Sequence, residues 1–388
     1  MTHRITIVAQ GPLSFAAQKP GAQYTPSLDY VPGGVLWGAL GHLLRREPDV
    51  RFSHALPAHP DDAWVRLLPV TATRCKVSPG FRADGSDERP AHGIFDTLID
   101  RVCAEQLRPA ALIYEPLCPT CSRHTKIASG SYTQTADGSY RARGAQRRIL
   151  TRVAIDRRRG TAAEGLLYAP IVLSETNRLQ GRELRLRFVG QAWNVDAAAR
   201  VAITEIAAIG GRISSGLGQV TIAAADDDQP DDLHDRLRRF NAAFQERWRV
   251  FERLTPQAAP DWTPDDWRVF SVSLQSDAIL LEQGWQPTIT FSAEQLFEQT
   301  QLDAALVYSL ASAQVVGGWN VSWDRPKPTA LAAQAGGVYV FRTRAGDAAI
   351  VAALERLERE GIGQRTREGY GAVRCCDPWH VDARGEGL

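Results

Sequence analysis

An α+β fold in two domains is what this sequence predicts, and three observations predict it. Short β-branched strands alternate with amphipathic helical stretches along the chain, and one passage of strand, helix, glycine loop and strand occurs twice. The length of 388 residues gives room for about two to three domains, each able to bury its own core. Hydrophobic residues at 44% and charged residues at 23% are near globular averages, which excludes a disordered chain. The 45 basic side chains almost cancel the 44 acidic ones, so a nucleic-acid partner must be argued from where charges lie rather than from net charge. No apolar run reaches the ~18 residues of a membrane helix, and MTHRITIVAQ has no signal-peptide core, so no membrane association and a cytoplasmic location are expected. In that compartment six cysteines suggest metal or buried thiols before disulfides.

The elements follow in order. ITIVAQ predicts a strand over about Arg4–Gln10, broken by GPLSF. From Pro32, the segment PGGVLWGALGHLLRR sets Leu36, Ala39, Leu40, Leu43 and Leu44 on one helical face, with Trp37 and His42 off it. Residues 67–160, irregular in hydrophobicity and rich in Cys and Arg, are expected to be a large insertion in a first domain spanning 1–225. RELRLRFVG then alternates as a strand should, with Leu184, Leu186 and Phe188 inward. A helix capped by Asp196 with Ala198, Val201, Ala202, Ile206 and Ile209 inward is expected to end at Gly210 or Gly211. The acidic stretch AAADDDQPDD and a helix over Leu233–Leu254 make up a linker at 226–266. A second domain, 267–388, opens on the strand WRVFSVSL. It closes on VYVFRTR, a helix capped by Asp347 with Ile350, Ala353, Leu354 and Leu357 inward, and GIGQRTREGYGAV.

The repeat is the most informative feature. IGGRISSGLGQV (209–220) and IGQRTREGYGAV (362–373) share IGxRxxxGxGxV, six identities in twelve positions, three of them glycine. Glycine admits positive φ and lacks Cβ, so such loops can turn amides outward and let a phosphate approach closely. That reading makes Gly210, Gly211, Arg212, Gly216 and Gly218, with Gly363, Arg365, Arg367, Gly369 and Gly371, candidate phosphate-binding residues; the plain alternative is two tight turns at helix ends. The order helix, glycine loop, strand is the reverse of the Rossmann and Walker order, which disfavours a nucleotide fingerprint.

A second basic feature lies between Arg141 and Arg159, where eight arginines face one acid, a local charge of +7. This suits a phosphate backbone, with Arg147, Arg148, Arg157 and Arg158 as candidates, against the alternative of a solvated basic loop. Cys118 and Cys121 form a CxxC knuckle, and Cys75 and Cys103 would complete a closed, structural four-thiolate zinc site, with His92 and His124 as substitutes. Cys375 and Cys376 sit side by side on an expected strand and read as packing residues. GxSxG, HExxH and P-loop motifs are absent.

Taken together, the two glycine loops, GPLSF, YVPGGVLWGAL and WNVSWDRPKPTALAAQAGGVYVF resemble the RAMP superfamily of CRISPR effector proteins. More narrowly they resemble the Csx-ten subunit of type III-D complexes, in the Cas-five group. The resemblance implies two ferredoxin-like domains of the RNA-recognition type. It also implies binding of the crRNA 5′ tag, and assembly with a large polymerase-like subunit, backbone RAMP subunits and a small subunit, with target RNA engaged indirectly. IDRRRGTAAEGLLY resembles the family segment that lies along the guide. No catalytic residue is expected; if RNA were cut, as in the processing endoribonucleases or the target-cleaving backbone subunits of the superfamily, the candidates are His42 and Asp29.

Overall fold

Every second residue of the first strand, β1 (Thr2–Ala9), is buried, with Ile5, Ile7 and Ala9 turned into one core. The computed structural model describes residues 2–15, 27–86, 89–107, 114–156, 158–179, 182–227, 232–255, 260–320 and 325–384. Helix α1 (Gly33–Leu44) follows, then β2 (Arg51–Phe52) and β3 (Leu56–Ala58). Leu36 and Leu40 of α1 are buried as the periodicity predicts, but Leu43 is 44% exposed. Trp37, expected off the stripe, packs against the core instead, its indole N–H donating to the Pro48 carbonyl at 3.2 Å.

The region expected to be an insertion builds small sheets of its own. Strands β4 (Arg66–Leu67), β5 (Ala72–Cys75), β6 (Ile94–Asp96), helix α2 (Leu98–Leu107), β7 (Thr125–Ile127), β8 (Ser131–Gln134) and β9 (Tyr140–Arg143) make two three-stranded sheets, β4–β8–β9 and β6–β5–β7. Their core of Leu68, Phe81 and Tyr132 is closed by Trp379, from the far end of the chain. Next come β10 (Arg147–Ile149), β11 (Arg152–Asp156), β12 (Thr161–Tyr168), β13 (Ile171–Leu173), β14 (Thr176–Leu179) and β15 (Arg182–Arg185). β11 pairs with β12 and β14 with β15 as hairpins outside the main sheets, and β10 pairs with β13.

RELRLRFVG is therefore two strands rather than one. β15 ends at Arg185, Leu186 bonds back to Glu175 and Ala9, and β16 (Arg187–Trp193) enters the main sheet beside β1. Asp196 caps α3 (Ala197–Thr204), accepting from the Ala199 amide at 2.6 Å. The buried face is Ala199, Ala202 and Ile203, one step round from the expected one, and Val201 is 58% exposed. The helix stops at Thr204 because Ile206 and Ile209 reach the core from extended chain that bonds to the segment before β17 (Val220–Asp226). The sheet order is β17–β1–β16–β2, all antiparallel, with β3 also on β16.

Helix α4 (Leu233–Leu254) covers the span its period predicts and buries Leu237, Phe240, Phe244, Trp248 and Phe251 against the second core. That core sits on β18 (Arg268–Leu274), followed by β19 (Leu280–Glu282), β20 (Gln286–Thr288), α5 (Ala293–Thr300) and β21 (Ala305–Leu310). A strap of β22 (Ala313–Val316), β23 (Trp319–Asn320), β24 (Arg325–Pro326) and β25 (Ala330–Ala333) leads to β26 (Val338–Thr343), α6 (Asp347–Glu360), β27 (Val373–Cys375) and α7 (Trp379–Asp382). The second sheet is ordered β21–β26–β18–β27, again antiparallel. Numbering the sheet strands of each half one to four, both sheets read four, one, three, two, and both halves run strand, helix, strand, strand, helix, strand. On α6 the buried set is the predicted Ile350, Ala353, Leu354 and Leu357. The N-cap is Gly346 rather than Asp347; Asp347 lies in the first turn, where a carboxylate still favours the helix dipole, and pairs with Arg268 at 3.0 Å.

Candidate nucleic-acid interface and metal cluster

The two glycine loops have the same backbone. Arg212 and Arg365 are left-handed (φ 61° and 56°), each starts a one-turn 3-10 helix (Ile213–Ser215 and Thr366–Glu368), and each turn ends on a left-handed glycine, Gly216 or Gly369. Gly210 and Gly363 match at φ 87° and 75°, as do Gly218 and Gly371 at 87° and 66°. The matched arginines, the one non-glycine left-handed position in each motif, are the part of this geometry that the sequence does not announce.

Four amides of these loops turn inward rather than outward. Gly211 donates to Ser14, Gly218 to Pro12, Gln364 to Ile279 and Gly371 to Asp277, all backbone carbonyls at 2.8–2.9 Å. Several of the glycines are required by close backbone: a Cβ on Gly371 would lie 1.8 Å from the Ile362 carbonyl oxygen, and one on Gly218 would lie 2.4 Å from that of Ile209. What the loops offer outside is mostly side chain. Arg365 stacks 4.8 Å from the Tyr370 ring centroid and pairs with Glu368 at 2.7 Å, and Lys327 reaches the same carboxylate at 2.6 Å. Burial pushes the Glu368 carboxyl up, but the two cations outweigh it and hold it below the usual range. Arg367 lies across from Glu47 and Asp49.

The arginine cluster divides by burial. Arg143 is tied up in a fork with the buried Asp62, and Arg141 with the Ala83 carbonyl and Asp84, so these two hold the fold. Arg147 and Arg148, on β10, are nearly half exposed, the first 3.9 Å from Asp29 and the second 2.7 Å from Glu175. Arg158 lies in the tight end of the β11–β12 hairpin, where its amide donates to Asp156; Arg157 is outside the described residues. The hairpin adjoins the first glycine loop, since the Arg152 guanidinium donates to the Ser215 carbonyl. β10 reaches that loop by another route: it pairs with β13, whose Leu173 bridges to Leu13, beside the Pro12 and Ser14 carbonyls that hold Gly218 and Gly211. Arg147, Arg148, Arg152 and the first loop thus share one margin of the first sheet.

The second loop meets the first half at the turn opening α1. Gly33 lacks room for a Cβ between the carbonyls of Phe52, Ser53 and Glu368, and its amide donates to His54 Nδ1 at 3.1 Å. His54 stacks on Tyr30 at 4.8 Å and meets Tyr370 edge-on, and burial pushes its imidazole down to about 4, so it is neutral. A cleft of about 220 Å³ opens here between the halves, lined by Tyr30, His54, Asp277, Gln314 and Gln334 among others. Tyr30 opens YVPGGVLWGAL and Gln334 lies in the late Trp- and Gly-bearing segment, but no motif marks His54, Asp277 or Gln314; the pairing of halves brings the five together. His42 is exposed in the last turn of α1, about 13 Å of helix rise from Gly33, whereas Asp29 lies before the helix's first turn, so the two are at opposite ends of α1.

Cys75, His92, Cys118 and Cys121 converge, with ligand atoms all within 4.8 Å of one another, a set able to hold a metal ion. Cys103, expected in the set, is instead fully buried on α2 among Leu98, Ile99 and Val102, in the second core. His92 takes its place, because its amide donates to the Ser78 carbonyl just past β5, at 3.0 Å, and β6 pairs with β5, whereas α2 packs its apolar face into the second core. His124, the other substitute, is exposed and bonded to Glu115 at 2.8 Å. Cys375 and Cys376 are both buried packing residues, as expected, but only Cys375 is on β27; Cys376 lies just past its end with φ 45°.

Fold and sites therefore describe an antiparallel α+β protein with two sheets of one strand order, paired glycine loops and a thiolate–imidazole cluster. Against known families, residues 250–375 match the profile of CRISPR-associated protein (Cas_Cmr3). No curated protein matches the chain. Among solved structures the chain is similar, at 11% identity and a TM-score of 0.38, to a chain of the type III-B Cmr-beta complex bound to cognate target RNA and AMPPnP, over 87% of this chain and 86% of that one. It is also similar to a Cas6 product complex (14% identity, TM-score 0.27, 50% and 81% covered) and to a type IV-B CRISPR complex (14%, 0.25, 60% and 94%). Among the described residues no helix is long and apolar enough to cross a membrane.

Proposed function

We propose that the protein is a crRNA-binding structural subunit of a type III CRISPR effector complex, built from two ferredoxin-like RAMP domains. The observation that carries this reading is the matched pair of glycine loops, identical in backbone and each set at the end of a sheet of the same strand order, with the second loop inside the segment that matches the Cas_Cmr3 profile. The domains are 1–225, with the insertion at about 67–160, and 267–388, joined through 226–266. In the finer reading, of the type III-D Csx-ten kind, the chain holds the 5′ tag of the guide and bridges to the large polymerase-like subunit, the backbone subunits and the small subunit. The guide's phosphates lie along the margin formed by Arg147, Arg148, Arg152 and Arg212 with the first loop and reach Arg158 in the adjoining hairpin, while the second loop, whose Arg365 is engaged by Glu368, sets the junction between halves.

The test is the salt dependence of binding to a tagged guide RNA. Each phosphate contact on a single strand contributes about 0.7 to the slope of log affinity against log salt. Changing Arg147, Arg148 and Arg158 together to alanine should lower that slope by about two. An undiminished slope in a correctly folded variant removes the cluster from the interface.

A further inference from the structure

We infer that the protein carries one structural zinc ion, held by the Sγ atoms of Cys75, Cys118 and Cys121 and by Nδ1 of His92. The four come from three separate segments: the end of β5, the loop before β6, and the turn before β7. That turn is a tight knuckle. The Cys118 amide donates to the Arg123 carbonyl at 2.8 Å, the Ser122 amide to the Cys118 carbonyl at 2.7 Å, and Ser122 is left-handed at φ 53°.

The spacing of ligand atoms fits a tetrahedral ion. With zinc–sulfur and zinc–nitrogen bonds of about 2.3 and 2.0 Å, a tetrahedron has sulfur–sulfur edges of about 3.8 Å and sulfur–nitrogen edges of about 3.5 Å. Cys75 Sγ lies 3.6 Å from Cys121 Sγ, and Cys118 Sγ lies 3.6 Å from His92 Nδ1. A disulfide would need about 2.05 Å and would leave the other two groups without a role. The Val77 amide donates to Cys75 Sγ at 3.3 Å, the second-sphere contact that supports a thiolate bound to metal. Three soft thiolates and an imidazole select zinc over magnesium or calcium, and four protein ligands leave no open position for a substrate.

The ion's place in the fold gives it a defined task. β5 pairs with β6 on one side and β7 on the other, and Cys75 lies opposite Thr125. An ion here pins all three strands at one end, the end where the described residues of 76–93 and 114–124 form no regular element but one short 3-10 turn, Arg82–Asp84. Its loss should loosen the stretches on either side of α2, 75–93 and 114–127, and spare the two main sheets and α2, which the second core holds. This inference is independent of the RNA reading.

Elemental analysis of the full-length protein, prepared without chelator, should find about one zinc per chain. Cys103→Ser should keep it, whereas Cys118→Ser and His92→Ala should lose most of it, with faster protease cleavage between 75 and 127. Zinc-free wild type, one equivalent of iron in place of zinc, full zinc in Cys118→Ser, or zinc lost in Cys103→Ser would each overturn the assignment. If Cys118→Ser does not fold, cobalt exchanged into the wild type decides: tetrahedral bands with thiolate charge transfer are expected, and an octahedral spectrum refutes the site.

Discussion

Gly371 and Gly216 both have positive φ, 66° and 81°, yet a side chain would meet different surroundings at each. Around Gly216 nothing lies within 4 Å of an added Cβ, so Gly216→Ala should cost only the left-handed φ, about 1 kcal/mol. At Gly371 the Ile362 carbonyl blocks the space, and Gly371→Ala should cost at least twice as much, about 3 kcal/mol. Urea unfolding of the two variants measures the difference, and equal losses would mean that the second loop yields. A buried relay shows the same dependence on surroundings: Ser273 Oγ lies 2.8 Å from His380 Nε2, and His380 Nδ1 lies 2.9 Å from Asp96, which also accepts from Thr71. Ser, His and Asp are arranged as in a hydrolase triad, but all three are buried, so the relay ties α7 to β6 and β18 rather than meeting a substrate. Burial pushes the His380 imidazole down, but the Asp96 carboxylate more than offsets this and raises it above its ordinary value. A raised folded value means that the contribution of His380 to stability is full below about pH 6.5 and fades as pH rises through the folded value. Stability measured from pH 6 to 9 should therefore fall more steeply in the wild type than in His380→Gln; parallel curves would refute the linkage.

At the scale of elements, period served best where a helix is long and packs on one face. α4 and α6 bury the sets their spacing predicts, since a helix of 14 residues or more averages over local irregularity. α3, with 8 residues, does not: its face is turned by Ile206 and Ile209, which reach the core from beyond the helix end. Strand breaks were the hardest to read, because RELRLRFVG alternates without interruption while its first half pairs in a hairpin and its second half in the sheet. The β11–β12 hairpin pairs with nothing else among the described strands, and its base is closed by the Leu150 amide donating to the Pro170 carbonyl at 3.0 Å. Replacing 152–168 by a turn of about two residues should therefore leave the melting temperature within a few degrees while weakening RNA binding by roughly tenfold or more. A large drop in melting temperature would show the hairpin to be part of the fold rather than an appendage.

For the molecule as a whole, the two halves are joined by side chains that neither half could place alone. Arg51, on β2, is buried at the C-terminal end of α6, where its guanidinium donates to the carbonyls of Glu358 and Arg359 and lies 4.2 Å from the Trp193 ring centroid. Burial pushes it down to about 10, still charged at neutral pH, so a full cation faces the negative end of a helix dipole. Arg51→Ala should cost about 2 kcal/mol, the worth of a charged hydrogen bond. It should also speed proteolysis between the halves, and unchanged stability would assign the junction to the surrounding apolar contacts. By itself the sequence determined the α+β class, the repeat with its glycines, the CxxC knuckle and the exposed arginines, because period, backbone freedom and charge density are local properties of a chain. Only the tertiary structure decided that His92 and not Cys103 joins the thiolates, that the amides of Gly211, Gly218, Gln364 and Gly371 turn inward, and that Arg51, His54 and His380 sit where distant segments meet. Those are outcomes of chain segments approaching across as many as 316 positions, as His54 meets Tyr370, and no local pattern encodes which partner arrives.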